Sequence, residues 1–434
     1  MRDVALIGFV VVVCGYALVH PWLGVMGWTL LSIMNLHRYA WATADFPLAA
    51  IIVGATLVGM ALTRDKRQMT IVPATALLVA FMLWVSITMP FAYSPDGSMD
   101  MWKKVMKIDF MILVALVLLN SRKHLMTLVW LLVFSLGFYG FKGGIFTIAH
   151  GGAYRVWGPE GTFIEGNNEL ALAIIVVIPL MRFLQLRTKA RWGRFALTAL
   201  MILSGIAALG TQSRGALIAI LSMALVMWWR NKSKMVFGMF LVVVGIGMVA
   251  LMPSTWDERM ASITEYQQDG SAMGRINAWW MAWNLAKDRF AGGGFDIYVP
   301  QIFNAYAPNP SDIHAAHSIY FQVLGEHGFI GLVLFVLIWV AVWRSAGHLR
   351  RNGPLRPESA WLADLGAMCQ VSLVGYLVGG AFLSLAYFDL PYNILVLVVV
   401  ARQWLENKAW EQEPHPASMK SAEHLTPGPP APAR

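Results

Sequence analysis

The sequence has few charged residues and almost no cysteine. Only 13% of its 434 residues are charged, whereas 58% are hydrophobic, and the mean hydropathy is +0.58. A soluble globular domain carries a charged share of about 25%, so the composition excludes that class. Cys14 and Cys369 lie far apart in apolar segments, which excludes a disulfide framework and a cysteine metal site. The chain also lacks a Walker loop and a nucleotide-binding glycine pattern.

Long apolar runs fill the chain instead. Each has about 17–25 residues, enough to cross a hydrocarbon core of about 30 Å as a helix. The runs predict an all-α, polytopic integral membrane protein with about 12 transmembrane helices. Residues 21–36 look too short to cross and are expected to be half-inserted or to lie at the interface. The predicted spans are 4–20, 47–63, 70–90, 101–119, 125–143, 166–184, 195–210, 213–229, 235–252, 317–343, 359–382 and 390–404.

The basic residues are distributed between these runs. The net charge is +9, but the Lys and Arg residues form short clusters rather than one patch, which disfavours nucleic acid as a partner. Cytoplasmic loops of membrane proteins are enriched in Lys and Arg, and this rule places all the clusters and both termini inside. The clusters lie at 64–67, 121–124, 182–194, 230–234 and 344–356.

This orientation divides the chain into four parts. Residues 1–252 hold the first spans, ending with 235–252, and include a short external loop at 144–165. Residues 253–316 form the one large external loop, with amphipathic helices. Residues 317–404 hold the last spans. Residues 405–434, rich in proline and polar side chains, are expected to be a disordered cytoplasmic tail.

Three ionisable residues converge on the external face. Arg214 lies in the tight turn "TQSRGA", Arg275 begins an aromatic-rich helix of the large loop, and His317 opens the following span. Ionisable groups at a membrane edge are functional candidates because burying them is costly. Two guanidinium forks suit the oxygens of a diphosphate, and an imidazole can accept a proton from a hydroxyl. The set predicts transfer from a diphosphate to a hydroxyl acceptor.

Anchoring, transport and metal binding are alternative roles for these residues. A single Arg or His at a helix end can be an interfacial anchor, although Gln212 and Ser213 beside Arg214 are not needed for anchoring. A transporter of lipid-linked sugars could use the same arginines without catalysis, but its groups should reach mid-membrane from both sides. His314 and His317 have the spacing to face a metal, yet no third ligand is suitably placed, so no metal is predicted.

The span after His317 carries further polar residues. Ser318, Gln322, Gly325 and Glu326 fall within a wedge of about 100° on an ideal helix and are expected to face the bundle interior. His327 is interpreted as a packing or hydrogen-bonding residue. The preceding "GGGF" at residues 292–295 is interpreted as a flexible turn.

Several motifs resemble one family. "TQSRGALIA", an arginine in a large external loop and "HSIYFQVLGEHGFIGL" together resemble the O-antigen ligase and polymerase superfamily. "MRDVALIGFV", "GWTLLSIMNLHRYAWA" and "RVWGPEGTFIEGNNELALAIIVVIPL" look like the narrower branch of exosortase-associated O-glycosylation ligases. The resemblance covers nearly the whole chain up to the tail. It does not separate the ligases of the superfamily from its polymerases.

The resemblance implies an enzyme with an architecture like that of GT-C membrane glycosyltransferases. Its active site would face the periplasm at the inner membrane of a Gram-negative bacterium. The donor would be a glycan on undecaprenyl diphosphate and the acceptor a sugar hydroxyl of lipid A-core oligosaccharide. A growing glycan or a protein is the alternative acceptor. The reaction would invert the anomeric carbon and need neither metal nor cofactor.

The resemblance also implies roles for particular residues. His317 matches the proposed base, Arg214 the arginine of the Ser-Arg-Gly motif, and Arg275 the large-loop arginine. The residues predicted to bind substrate are Arg155, Asn167, Asn168, Gln212, Ser213, Tyr320 and His314.

Overall fold

The fold is known from a computed structural model, which describes residues 1–40, 42–43, 46–63, 71–231, 233–250, 252 and 270–413. All regular structure in these residues is helical, without strands. Within a bilayer only helices of this kind, or closed barrels, satisfy every backbone polar group. The helices are α1 Arg2–Val19, α2 Pro21–Met34, α3 Leu48–Leu62, α4 Pro73–Thr88, α5 Pro95–Leu118, α6 Arg122–Ala149, α7 Asn167–Arg187, α8 Arg191–Gly210, α9 Arg214–Arg230, α10 Lys234–Val249, α11 Gly270–Asp288, α12 Pro300–Tyr306, α13 Ile319–Asn352, α14 Trp361–Gly379 and α15 Asp389–Glu406.

Many of these helices are membrane spans by length and composition. In the described residues 7 helical segments qualify: Arg2–Val19, Pro73–Phe91, Arg122–Ala149, Asn167–Arg187, Arg191–Gly210, Ile319–Leu355 and Pro357–Phe382. Three shorter helices are also apolar: Pro21–Met34, Leu48–Leu62 and Lys234–Gly247. The predicted class, an α-helical polytopic membrane protein, is confirmed. Residues 253–269 of the large loop and 414–434 of the tail lie outside the described residues.

The helices pack into a bundle with two distinct ends. We call the end that carries Arg122 the basic end; there the Arg122 backbone N–H donates to Glu413 Oε1 at 2.8 Å. We call the opposite end, which carries the segment 150–166 and the turn 210–213, the loop end. At the loop end the Val156 N–H donates to the Gly210 carbonyl at 3.2 Å. The predicted site residues belong to elements of the loop end.

Helix α2 lies lengthwise beside α6. Near its start Trp22 stacks on His124 with ring centroids 4.4 Å apart, and at its end the Met34 carbonyl accepts from Tyr139 Oη at 2.6 Å. The helix therefore runs along α6, whereas the sequence predicts a half-inserted or interfacial segment. The length of a helix, judged without its neighbours, does not decide whether the helix crosses the bundle. A 14-residue helix can run between longer neighbours that shield its ends.

The two ends of the described chain lie at opposite ends of the bundle. Asp3 Oδ1 accepts from the Ala42 N–H at 2.8 Å and the Thr43 N–H at 3.0 Å. Arg38 in the same connection donates to the Gly161 carbonyl at 2.9 Å, so α1 starts at the loop end. Because Glu413 lies at the basic end, Asp3 and Glu413 are at opposite ends of the bundle, whereas the sequence predicts both termini on one side. The difference follows from α2, since one more crossing reverses everything before it.

Helix α13 is broken near the loop end. Gly328 has φ 67° and ψ −171°, values outside the helical region. The break frees the carbonyls of Gly325 and Glu326, which accept from the Gly293 and Gly294 N–H groups, each at 2.9 Å. The segment 292–295 is thus fixed in the break and is not the flexible turn expected from "GGGF".

The polar stripe of α13 faces the bundle interior, as predicted. Ser318, Gln322, Gly325 and Glu326 are all buried. Tyr387 Oη donates to Glu326 Oε2 at 2.5 Å. His327 Nδ1 lies 2.9 Å from Thr88 Oγ1, which confirms its interpretation as a hydrogen-bonding residue.

Candidate active site

His317 lies at the junction between the large loop and α13. The carbonyl before it, that of Ala316, accepts from Trp279 Nε1 at 2.7 Å. His317 itself has φ 42°, a left-handed value that turns the chain sharply into the helix. Its side chain is 33% exposed, yet Nδ1 is buried. The accessible part of the imidazole is therefore the remainder of the ring, which includes Nε2.

Glu169 is the acidic residue that faces His317. Its Oε1 atom lies 3.6 Å from His317 Nδ1, and its side chain is 14% exposed. This distance is that of an ion pair rather than a hydrogen bond. Glu169 is not among the residues predicted from the sequence, although the segment "GNNELA" carries the signal: an acidic side chain in the first turn of an apolar span. Capping of α7 accounts for polar residues in that turn equally well, which hides the signal.

Gly166 gives the Glu169 carboxylate its space. It is the N-cap residue of α7, and a Cβ atom at this position would collide with Glu169 Oε2. The loop before it is held by its own hydrogen bonds. Gly158 N–H donates to the Glu165 carbonyl at 2.9 Å, and Gly161 N–H donates to Glu165 Oε2 at 2.8 Å. These hydrogen bonds thus fix the conformation of the loop that leads into α7.

The loop and the turn that contains Arg214 form one hydrogen-bonded unit. Asn167 Nδ2 donates to the Thr211 carbonyl at 2.7 Å. Gln212 has φ 56°, and its Nε2 donates to the Gly152 carbonyl at 3.2 Å. Arg155 Nε donates to Gln212 Oε1 at 3.3 Å. Two elements far apart in sequence are therefore locked together beside the His317–Glu169 pair.

Ser213 completes this turn. Its Oγ accepts from the Ala216 N–H at 3.2 Å and caps α9, so Arg214 is the first residue of that helix. A capped first turn fixes the backbone from which the guanidinium extends. The structure thus joins Arg155, Asn167, Gln212, Ser213 and Arg214 in one cluster, as the predicted site requires.

Arg275 is connected to His317 through the segment 309–316. Asn277 Nδ2 donates to the carbonyls of Asn309 and Asp312 at 2.8 and 2.9 Å, which lays this segment along α11. Gly274 packs against His314, since a Cβ on Gly274 would lie 2.6 Å from His314 Nδ1. The first turns of α11 therefore hold the chain that leads to His317.

His314 and His317 have different acidic partners. His314 Nδ1 lies 2.6 Å from Asp312 Oδ1, whereas His317 faces Glu169. Within the residues that the structure describes, no group of three or more His, Cys, Asp and Glu side chains could hold a metal ion. Each of the two histidines thus faces a carboxylate of its own, at a separate place.

Tyr320 and Asn168 are two further residues predicted to bind substrate. Tyr320 Oη donates to the Leu377 carbonyl at 2.9 Å and ties α13 to α14. Asn168 is half-buried in the first turn of α7. A role in substrate binding stays a prediction for both.

Two basic side chains approach the loop that leads into α7. Lys104 Nζ lies 3.9 Å from the Phe163 ring centroid, and Arg38 is bonded to Gly161. Burial, with Arg38 and Lys104 nearby, lowers the pKa of His37 below its ordinary value, which favours the neutral imidazole there. Together with Arg155 and Arg214, these basic side chains suit an anionic ligand.

These features define a helical membrane protein with a histidine, a carboxylate and several arginines at one end of its bundle. Residues 199–336 match the family model described as O-antigen ligase, and residues 1–189 match a family of unknown function, DUF5935. The chain therefore carries a region that matches the O-antigen ligase family, and its resemblance to that superfamily is confirmed. No curated protein matches the chain. Arg214, Arg275 and His317 lie in the first matched region, and Glu169 lies in the second.

Proposed function

We propose that the protein is an O-antigen ligase that transfers a glycan from undecaprenyl diphosphate to a sugar hydroxyl of lipid A-core. The reaction takes place at the periplasmic face of the inner membrane in a Gram-negative bacterium. The loop end of the bundle is the periplasmic end. The family match supports the class of reaction. The observation that carries the proposal is His317 beside Glu169 in the same framework as Arg214.

The proposed chemistry begins with a proton transfer. Glu169 accepts a hydrogen bond from His317 Nδ1–H, which leaves the Nε2 lone pair to take the proton of the acceptor hydroxyl. The 3.6 Å separation shortens when substrate closes the site, as is common for catalytic contacts seen without substrate. The hydroxyl oxygen forms a bond to the anomeric carbon from the side opposite the diphosphate. The bond to the diphosphate breaks, so the configuration inverts.

The arginines stabilise the leaving group. Negative charge grows on the diphosphate as its bond to the sugar breaks, and the guanidinium groups of Arg214 and Arg275 offset it. Lys carries the same charge but lacks the planar fork. We therefore expect Arg214→Lys and Arg275→Lys each to lower the transfer rate by about 100-fold, as loss of a preorganised donor does. Unchanged turnover in both variants would contradict diphosphate binding by the fork.

One reconstitution tests the function. Purified protein is incubated with an undecaprenyl diphosphate-linked glycan, EDTA and either lipid A-core or a candidate peptide. The proposal predicts glycosylated lipid A-core in the presence of the chelator and a transfer rate at least about 100-fold lower for His317→Ala. A glycopeptide without glycosylated lipid A-core would make the protein a protein O-glycosylation ligase. Elongated lipid-linked glycan without either acceptor would make it a polymerase.

A further inference from the structure

A cavity adjoins the candidate site beside α6. It has a volume of about 300 Å³ and lies between α6, the segment 155–159 and residue 39. Two of its lining residues, Lys142 and Arg155, are cationic, and within the described residues no acidic side chain lines it. This volume is at the lower end of the range for small-molecule pockets. The charge of the lining selects for an anion.

Lys142 stands at the border between the cavity and the lipid. On α6, Phe138, Phe141, Ile145 and Ile148 form an exposed apolar stripe, whereas Tyr139, Gly143 and Phe146 line the cavity. At 100° per residue Lys142 falls between the two stripes. It forms no salt bridge within the described part of the chain. An ammonium group at this border gains most from an anion that arrives with an apolar tail.

The cavity is lined by aromatic side chains of the kind found at lipid headgroups. Tyr39 and the 59% exposed Trp157 line it, and such aromatic side chains concentrate where the bilayer meets water. Gly143 lets the segment approach α6, since a Cβ there would lie 3.0 Å from Val156 Cγ1. The hydrogen bond between Tyr139 and Met34 fixes the opposite wall. The cavity is therefore built by the fold.

We propose that this cavity binds the phosphate group of a membrane lipid whose tail lies along the exposed stripe of α6. Lys142 and Arg155 contact the phosphate, and Phe141 and Ile145 contact the tail. Arg155 also donates to Gln212, two residues before Arg214. Arg155 thus connects the bound lipid, through one hydrogen bond, to the turn that carries Arg214. The identification of this lipid as a substrate rests on the proposed function. The binding of a lipid phosphate in the cavity does not depend on that function.

Lipid binding by the purified full-length protein tests the inference. The probe is undecaprenyl monophosphate, followed by native mass spectrometry, with undecaprenol and inorganic phosphate as the tail-only and charge-only comparisons. We expect undecaprenyl monophosphate to bind at least about tenfold more tightly than either, as a charge-assisted contact requires. Equal binding of undecaprenol, or of inorganic phosphate, would overturn the assignment.

A matched pair of variants locates the bound lipid. Lys142→Gln should weaken binding of undecaprenyl monophosphate about tenfold, and Lys107→Gln should leave it unchanged, because Lys107 is an exposed lysine of α5 outside the cavity. Gly143→Val, which fills the cavity wall, should also weaken it. If Lys142→Gln binds as well as the wild type, Lys142 is only a snorkelling residue and the inference is wrong. Binding without any glycan transfer would support the cavity and contradict the proposed function.

Discussion

At the level of single residues, the position of one carboxylate decides which nitrogen of His317 is chemically available. Glu169 faces Nδ1, and a carboxylate at one ring nitrogen favours the tautomer with its proton there. The other nitrogen then keeps its lone pair for a hydroxyl proton. Glu169 is in this mechanism a positioning residue, and its effect reaches the substrate only through His317.

The position of Glu169 depends in turn on the absence of a side chain at residue 166. We expect Gly166→Ala to displace the carboxylate and to lower the transfer rate by about 100-fold, the effect of a misplacement near 1 Å. The rate is measured with saturating donor, so that kcat is separated from KM.

A second glycine provides the control for this prediction. A Cβ atom added at Gly54 would have no neighbouring atom within 4 Å, so Gly54→Ala should leave the rate at the wild-type value. A Gly166→Ala protein with normal kcat would show that His317 does not need Glu169 in its present place.

At the level of secondary-structure elements, the break in α13 holds the large loop against the helix that follows His317. The freed carbonyls of Gly325 and Glu326 bind the segment 292–295, which ties the large loop to the same helix that begins after His317. In lipid these carbonyls would otherwise lack partners, at a cost of several kcal/mol. The break therefore joins the helix that follows His317 to the loop that carries Arg275.

Substitution of Gly328 tests the importance of the break. Its φ of 67° is costly for other residues, and a Cβ would collide with the Phe290 carbonyl. We expect Gly328→Ala to destabilise the fold by about 2 kcal/mol and to lower the midpoint of thermal unfolding in detergent. Gly15→Ala, at an open position of α1, should not lower it. Equal midpoints for the two variants would mean that the break does not require glycine at residue 328.

At the level of the whole molecule, α2 determines the orientation of everything before it. A crossing α2 gives one span more than the twelve predicted and puts the N-terminus at the loop end. His20, between α1 and α2, then lies at the basic end, whereas Phe46 lies at the loop end.

Cysteine labelling distinguishes the two topologies. In a background without Cys14 and Cys369, a membrane-impermeant maleimide applied to spheroplasts should label Phe46→Cys and leave His20→Cys unlabelled. Both side chains are exposed in the structure, so the difference reports the side of the membrane. Labelling of both positions would restore the twelve-span topology with α2 at the interface.

Sequence patterns predicted the class of fold and singled out candidate site residues, because both follow from local properties. Hydropathy indicates the helices, and an arginine or histidine at the edge of a span can be recognised from the sequence alone. The crossing of α2 could not be found in this way, because it depends on contacts that Trp22 and Met34 make with another helix. Glu169 could not be predicted for the same reason. Its partner, His317, lies far away in sequence, and a role in capping α7 also explains an acidic residue at this position.

The break at Gly328 was hidden for a different reason. Its segment reads as an uninterrupted apolar span, and "GGGF" reads as a turn. Only the pairing of Gly293 and Gly294 with the freed carbonyls makes both features part of one structure. Glycines permit such an arrangement but do not specify where their partners are.

The proposed mechanism rests on His317 accepting the proton of the acceptor hydroxyl, with Glu169 acting through it. A double-mutant cycle on the glycan transfer rate of purified protein is the sharpest test of this pairing. We expect His317→Ala to lower the rate by about 10²–10⁴-fold and Glu169→Gln to lower it by a smaller factor. The double variant should match His317→Ala alone, because an orienting carboxylate has no effect without its imidazole. Losses that multiply in the double variant, or near-normal transfer by His317→Ala, would contradict the mechanism.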